Sequence, residues 1–306
     1  MRLSKHISRQ AQYRLEQALF KGFYFFCRLI PSTVVLSIGK SIGSLAWRLN
    51  ARKQTVLKNL AIAFRDQYSK TELETIALDC YRHFGIEMMR IMILDREAKK
   101  PIESWIDVEG LELLQKREKE GGILVGGHIG CWEIGNFVLP KLGQAVTVFT
   151  GGHTNKIADR WLNEIRKRAG ALTAGSGDDR TELYRSAKKG LVAVIGDQAP
   201  GKAPIMIDFF GRSTDAAQGP ALLSLLNKVD FFYFSCLKKE GRIKVRISKV
   251  DFDVADTRKE NVHRLTQAFF RMLESEIAKN PEQYLWMHKR WKNSPDVDYS
   301  DIDILF

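Results

Sequence analysis

His128 and Glu133 stand five positions apart in the stretch Gly121 to Phe137, GGILVGGHIGCWEIGNF, with Trp132 beside the acid. Side chains that face each other on a helix are three or four apart, so this pair does not meet if both lie mid-helix. They meet if His128 occupies the turn before a helix and Glu133 its first turns. The carboxylate then accepts a hydrogen bond from one imidazole nitrogen, and the other nitrogen is left as a base. A histidine near a Gly-rich turn is usually an ordinary loop residue, so the pair needs support from elsewhere in the chain. Gly196-Asp197-Gln198 gives some, because it follows a second apolar run, Leu191 to Ile195. Ligand groups in open α/β sheets sit beyond the carboxyl ends of strands, and His128, Asp197 and Gln198 are all placed that way. Asp197 and Gln198 are therefore substrate-binding candidates. A metal centre built from His128, Glu133 and His153 lacks a recognised ligand spacing such as HExxH.

The elements that must position these residues follow from periodicity and punctuation. Ile123-Leu124-Val125 is short and apolar, as a buried strand is, and Gly126-Gly127 breaks it. Upstream, residues 52–66 form a basic amphipathic helix ending near Phe64, and Ser69 with Glu72 is a capping box opening a helix towards Ile93. Trp105 to Val108 reads as a short strand after the break at Pro101, and Gly110 to Lys119 as a charged helix. Downstream come a strand at Ala145 to Phe149 and a helix from Lys156 to Ala169, capped by Asn155 and stopped by Gly170. Its apolar stripe is Ile157, Trp161 and Ile165, and Arg160, Arg166, Lys167 and Arg168 make the rest basic. Gly175 to Gly177 is a turn and Thr181 to Lys189 a helix. Gly219-Pro220 starts another helix. Strands Phe231 to Cys236 and Ile243 to Val250 form a hairpin, and a long helix runs from about Thr257 to Lys279, ended by Pro281. The expected fold is α/β, a central mixed sheet flanked by helices.

The 306 residues suffice for a sizeable core, and 44% hydrophobic content suits a globular chain. Cys27, Cys80, Cys131 and Cys236 are scattered without a CxxC pair, which fits a reducing environment. The net charge of +12 suits anionic partners: a phospholipid surface, a phosphorylated glycolipid, an acidic carrier protein or nucleic acid. Leu19 to Leu49 is the most hydrophobic region, but Lys21, Arg28, Pro31 and Lys40 interrupt it. It holds no uninterrupted apolar stretch of the ~20 residues a simple span needs. No cleavable signal peptide is evident. Basic residues at both flanks favour a segment lying in or re-entering the interface. Residues 1–50 are thus expected to form a membrane-associated helical segment, and residues 51–306 the main domain.

From Arg52 to Lys292 the chain resembles the late acyltransferases of lipid A biosynthesis, the Kdo2-lipid A lauroyl and myristoyl transferases and their relatives. Four blocks carry the resemblance: RKQTVLKNLAIAF; His128-x4-Glu133 with Trp132; Gly196-Asp197-Gln198 followed by Phe209-Phe210-Gly211; and PEQYLWMHKRWK near the end. The family commonly has Asn where this chain has Cys131, and Pro where it has Asp208. The resemblance implies a glycerolipid acyltransferase-like fold and transfer of a fatty acyl group from acyl carrier protein to a glycolipid hydroxyl. The location implied is the cytoplasmic face of the inner membrane. His128 would be the general base and Glu133 the group that fixes its tautomer. Arg166 and Arg168 match a family arginine pair, and the resemblance implies that they would bind the lipid's phosphates or the thioester oxygen. Trp286 and His288 would pack the terminal block. The implied partners are acyl carrier protein, a phosphorylated glycolipid and a membrane surface, with no nucleic acid. The acyl thioester is a co-substrate, and no metal or other cofactor is implied. The competing reading is a basic membrane-surface or nucleic-acid binding protein without catalysis.

Overall fold

The computed structural model describes residues 2–64, 67–115, 120–150, 156–168, 170–175, 180–200, 203–252 and 259–300. The strand at the centre of the sequence argument, β2 (Gly122–Gly126), is buried at all five positions. A strand with no polar face belongs where helices cover both sides of a sheet. It shares a sheet with β1 (Ile106–Glu109), β3 (Val146–Thr150), β4 (Leu172–Gly175), β5 (Leu191–Ile195), β8 (Phe231–Lys239) and β9 (Arg242–Val250). They form a seven-stranded sheet of order β1-β9-β8-β2-β5-β3-β4. The five strands from β8 to β4 run parallel. The sheet is mixed because β9 turns back antiparallel to β8, and β1 follows β9.

Ten helices among the described residues surround the sheet or lie near the site. The first are α1 (Arg2–Leu29), α2 (Ser32–Arg48), α3 (Lys53–Phe64), α4 (Lys70–Met92) and the single turn α5 (Leu94–Glu97). Then come α6 (Gly135–Lys141), α7 (Lys156–Arg168), α8 (Arg180–Lys189), α9 (Gly219–Asn227) and α10 (Lys259–Lys279). The pleat of β2 divides the core, since alternate residues point to opposite faces. Ile123 and Val125 pack with Ala187, Leu225, Phe269, Phe270 and Leu273 of α8, α9 and α10. Leu124 packs on the other face with Phe137 and Val138 of α6 and Ile165 of α7.

The N-terminal helices join across Pro31, as the sequence suggests. Helix α2 then lies against α4 at backbone distance. A Cβ on Gly43 would stand 2.1 Å from the carbonyl oxygen of Tyr81, and one on Gly39 2.5 Å from that of Gly85. Only glycine permits that approach. The ring of Tyr24 in α1 packs 5.0 Å from Trp161 of α7, and Arg28 pairs with Asp95. Elsewhere α1, α2 and the residue after α2 leave Leu19, Phe25, Phe26, Leu29, Leu45 and Leu49 exposed. Among the described residues no helix is long and apolar enough to cross a membrane.

Three local expectations change. The charged helix expected from Gly110 is one 3₁₀ turn, Leu111–Leu114, and residues 116–119 lie outside the described set. Leu172–Gly175, given no strand from sequence and running into the expected turn at Gly175, is the outermost strand β4. A hairpin, β6 (Pro204–Phe209) and β7 (Arg212–Ala217), lies in a stretch given no element from sequence. Its inward residues are partly polar. Thr214 donates to the Arg290 carbonyl at 2.8 Å, and Asp215 accepts from Asn293 at 2.6 Å. Partners nearly 80 positions away make that strand possible, so its own residues do not announce it. The expected cap Asn155, the helix end Ala169, Gly177 and the helix start Thr257 lie outside the described residues.

Candidate active site

Strand β2 ends at Gly126, and the chain then passes Gly127 to reach His128 at the carboxyl edge. A Cβ on Gly127 would come within 2.7 Å of the Leu273 side chain, so glycine seats this turn against α10. Strand β5 is the parallel neighbour of β2, with Gly126 opposite Ile195. Two residues beyond Ile195 stands Asp197. Its carboxylate accepts twice from His128: the main-chain N–H reaches Oδ2 at 3.0 Å, and ring Nδ1 lies 2.6 Å from Oδ1. An ionised carboxylate can only accept, so Nδ1 carries the proton and Nε2 the lone pair. Among the described residues nothing hydrogen-bonds Nε2, and the His128 side chain is 22% exposed against 1% for Asp197. The ring of Trp132 meets that of His128 edge-on at 5.4 Å and stacks on Phe84 at 6.4 Å.

The hydrogen bond expected between His128 and Glu133 is not formed, and the acid partner of the imidazole is Asp197. Glu133 sits in a 3₁₀ turn, Trp132–Ile134, ahead of α6. Its two oxygens are filled from elsewhere. Arg166 of α7 donates Nη2 to Oε1 at 2.6 Å and Nε to Oε2 at 3.0 Å, and Asn136 donates to Oε2 at 2.7 Å. Arg166 also reaches Asn163 at 3.1 Å. This ion pair is largely buried, with side chains 8% and 14% exposed. A two-pronged guanidinium–carboxylate pair there ties α7 to the His128–Glu133 loop. Arg166 is therefore engaged within the protein, whereas Arg168 is exposed and reaches Tyr24 at 3.3 Å. Gln198 is half-buried next to Asp197. His153 lies outside the described residues.

The C-terminal block holds the other side of the loop. Leu285 N–H donates to the His128 carbonyl at 3.0 Å, and Gly130 N–H to the Gln283 carbonyl at 2.8 Å. Cys131 N–H donates to Cys236 of β8 at 2.6 Å. The N–H groups of Gly130 and Cys131, candidates for an oxyanion site by their place after the Gly-rich turn, are thus committed to the fold. Trp286 is fully buried and donates Nε1–H to Pro281 at 2.7 Å. Asn59, from the early Asn-Leu block, donates to the carbonyls of Trp286 and His288 at 2.6 and 2.7 Å. The blocks picked out in the sequence therefore meet in space around one loop. Cys131 beside the site is buried, and burial pushes its thiol up, so it stays protonated.

The electrostatics agree with the geometry. Burial alone would lower the pKa of His128, but the charge of Asp197, its hydrogen bond and the charge of Glu133 outweigh burial and raise it. Burial would raise Asp197. The charge of His128, the two hydrogen bonds from it and the charge of Arg290 outweigh that and hold the carboxyl below its usual value. Arg290 is itself buried, with its guanidinium 5.0 Å over the Phe270 ring.

The parallel-centred α/β sheet thus carries an imidazole and a buried carboxylate on the carboxyl ends of adjacent strands, an arrangement that can accept a proton at an open edge. The chain belongs to the bacterial lipid A biosynthesis acyltransferase family, whose model matches residues 4–293. It is 25% identical over 271 residues to the lipid A biosynthesis palmitoleoyltransferase of Escherichia coli strain K12, covering 87% of each chain. To the lipid A biosynthesis lauroyltransferase of the same strain it is 22% identical over 280 residues, covering 87% of this chain and 88% of the other. A lipid A biosynthesis acyltransferase of Haemophilus influenzae is 23% identical over 274 residues, covering 87% of each.

The two carboxylates should respond differently to neutralisation. Asp197→Asn turns an NH2 towards either the ring or the main-chain N–H, and so disfavours the Nδ1–H tautomer. Activity that depends on Nε2 should fall by ~10²-fold or more. The pH at which residual activity rises should move to lower values, because the strongest group raising the His128 pKa is gone. Glu133→Gln should shift that limb less. It should instead cost about 3–5 kcal/mol of stability, since it strands the buried Arg166 charge. Rate–pH profiles and denaturant melts of both variants check this. A limb unmoved in Asp197→Asn, or moved further in Glu133→Gln, would reverse the assignment.

Proposed function

We propose that this protein is an acyltransferase of lipid A biosynthesis that moves a fatty acyl group from acyl carrier protein to a hydroxyl of a lipid A precursor or related glycolipid, at the cytoplasmic face of the inner membrane. The observation that carries this reading is the double hydrogen bond from His128 to Asp197, which leaves Nε2 with its lone pair at the open edge of the sheet. An alcohol is a weak nucleophile at neutral pH and needs a base within hydrogen-bond reach. In this reading Nε2 takes the proton of the acceptor hydroxyl as its oxygen bonds to the thioester carbonyl carbon. The C–S bond then breaks, and the imidazolium returns the proton to the departing thiolate. Asp197 stabilises the imidazolium in between. A purely binding role gives no reason to bury a carboxylate against a half-open imidazole. No enzyme nucleophile is needed, in keeping with the buried, protonated Cys131.

The base must be neutral to act. Because the folded protein raises the pKa of His128, activity should rise through a limb above the ordinary imidazole value of 6.5. The same shift has a sign for stability. The gain from protonated His128 is fully present below the unfolded pKa and is lost as pH rises through the folded one. His128→Ala should reduce acyl transfer from acyl carrier protein to a lipid A precursor by at least ~10²-fold and abolish that limb. A folded His128→Ala protein, by circular dichroism, that transfers at the wild-type rate would end the proposal.

The exposed apolar residues of α1 and α2, with Lys21, Lys40 and Arg48 among them, suit helices lying in a lipid–water interface. Exposed apolar residues gathered in this number on two adjacent helices suit an interaction surface. Replacing Leu19, Phe25 and Leu29 by serine should reduce flotation with anionic liposomes while leaving the melting transition in place. Undiminished flotation would remove these residues from membrane binding.

A further inference from the structure

On the sheet face covered by α10 lies a groove of about 320 Å³, formed by β8, β9 and the end of that helix. Its walls carry five cations: Lys239, Lys244, Arg246, Arg271 and Lys279. They come from two directions. Ser235 pairs with Arg246, and Leu237 with Lys244, so the inward positions of β8 and β9 share one face. Arg271, Ser275 and Lys279 are spaced by four and form one stripe on α10 that looks across at that face.

Only two carboxylates line the groove, and both are occupied. Glu109 pairs with Arg246 at 3.3 Å. Glu276 is nearly buried, accepts from Tyr233 at 2.8 Å and Ser235 at 3.0 Å, and lies 3.6 Å from Arg246. Asp107 neighbours Lys244 across the β1–β9 ladder but is held by Arg242, and Glu274 lies near Arg271. Lys239 and Lys279 make no ion pair among the described residues. Lysines on strands often guard an open sheet edge. That explanation fails here, because β9 is paired on both sides.

The groove belongs mechanically to the active-site edge. Cys236 of β8 bridges to Gly130, two residues past His128. The Gln283 side chain pairs with both main-chain groups of Lys238, at 2.9 and 3.0 Å. The groove also lies on the sheet face opposite α7, against which Tyr24 of α1 packs. A ligand there approaches from the face opposite the one on which Tyr24 of α1 packs. Arg271 and Lys279 are eight residues apart, about 12 Å along a helix. Cations spread that far do not converge on one phosphate. They match a row of carboxylates on a protein surface.

We infer that this groove is the docking surface for the acidic carrier protein that delivers the acyl thioester. The inference rests on the function proposed above and adds the place where the donor binds. Charge at such a surface acts chiefly on encounter and on salt dependence.

The test is binding of holo-acyl carrier protein to the full chain, measured at low and high salt, for wild type, Lys239→Glu with Lys279→Glu, and the milder Lys239→Gln with Lys279→Gln. The charge reversal should weaken carrier binding by about tenfold or more at low salt, because two attractions become repulsions, and should flatten the salt dependence. The glutamine pair should lie between, which covers the case in which the reversal fails to fold. The rate with a small soluble acyl thioester should be unchanged. Wild type that fails to bind the carrier at low salt refutes the donor assignment itself, and this inference with it. Wild type that binds, with both variants binding equally well, overturns the groove alone. Variants that keep the carrier but lose anionic phospholipid vesicles or inorganic phosphate would assign the cations to those ligands and overturn it too.

Discussion

The structure depends on one buried anion. Asp197 is closed off from water, and an ionised carboxylate in that position is costly unless its oxygens are filled. His128 fills both, one from the main chain and one from the ring. The solution is demanding, because it fixes the path of the loop after β2 as well as the orientation of the imidazole. It requires β2 and β5 to be parallel neighbours ending together. It requires Gly127, where any side chain meets Leu273. It also requires the far side of the loop to be held by a segment about 155 residues downstream, through Gln283 and Leu285.

The second buried pair, Glu133 with Arg166, has a different part in the architecture. It connects the loop to α7 and so to the side of the protein where α1 packs through Tyr24 and Trp161. The loop is thus braced from both flanks, by an ion pair on one and a main-chain ladder on the other. The surfaces also differ in character. Exposed apolar residues gather on α1 and α2, and unneutralised cations gather on β8, β9 and α10. In the reading developed above, a lipid acceptor and a water-borne acidic donor reach one edge of the sheet from different sides, which keeps two unlike substrates from competing for one surface.

Much of this was legible in the sequence. The apolar run at β2, the Ser69–Glu72 capping box, the hairpin after Phe231 and the helix stopped at Gly170 are local patterns, and local physics produces them. Placing His128 and Asp197 on one edge needed only the rule about strand ends. Choosing the partner of His128 did not succeed. Sequence proximity favoured Glu133 at five residues, whereas the hydrogen bond spans 69. The basic helix also concealed that Arg166 would claim Glu133, since nothing local separates a solvated arginine from a buried one. The β6–β7 hairpin was illegible for a related reason. Its buried Thr214 and Asp215 are satisfied only by the C-terminal block.

The claim on which the account turns is that Asp197 holds His128 in the Nδ1–H tautomer. Nitrogen NMR of imidazole-labelled protein observes this in the resting molecule, without substrate or membrane. His128 should titrate above the ordinary imidazole value, and at pH above that titration its neutral ring should carry the proton on Nδ1 and none on Nε2. The tautomer should persist in Glu133→Gln and be lost in Asp197→Asn. A neutral ring with its proton on Nε2 in the wild type, or a tautomer that depends on Glu133 and not on Asp197, would contradict it.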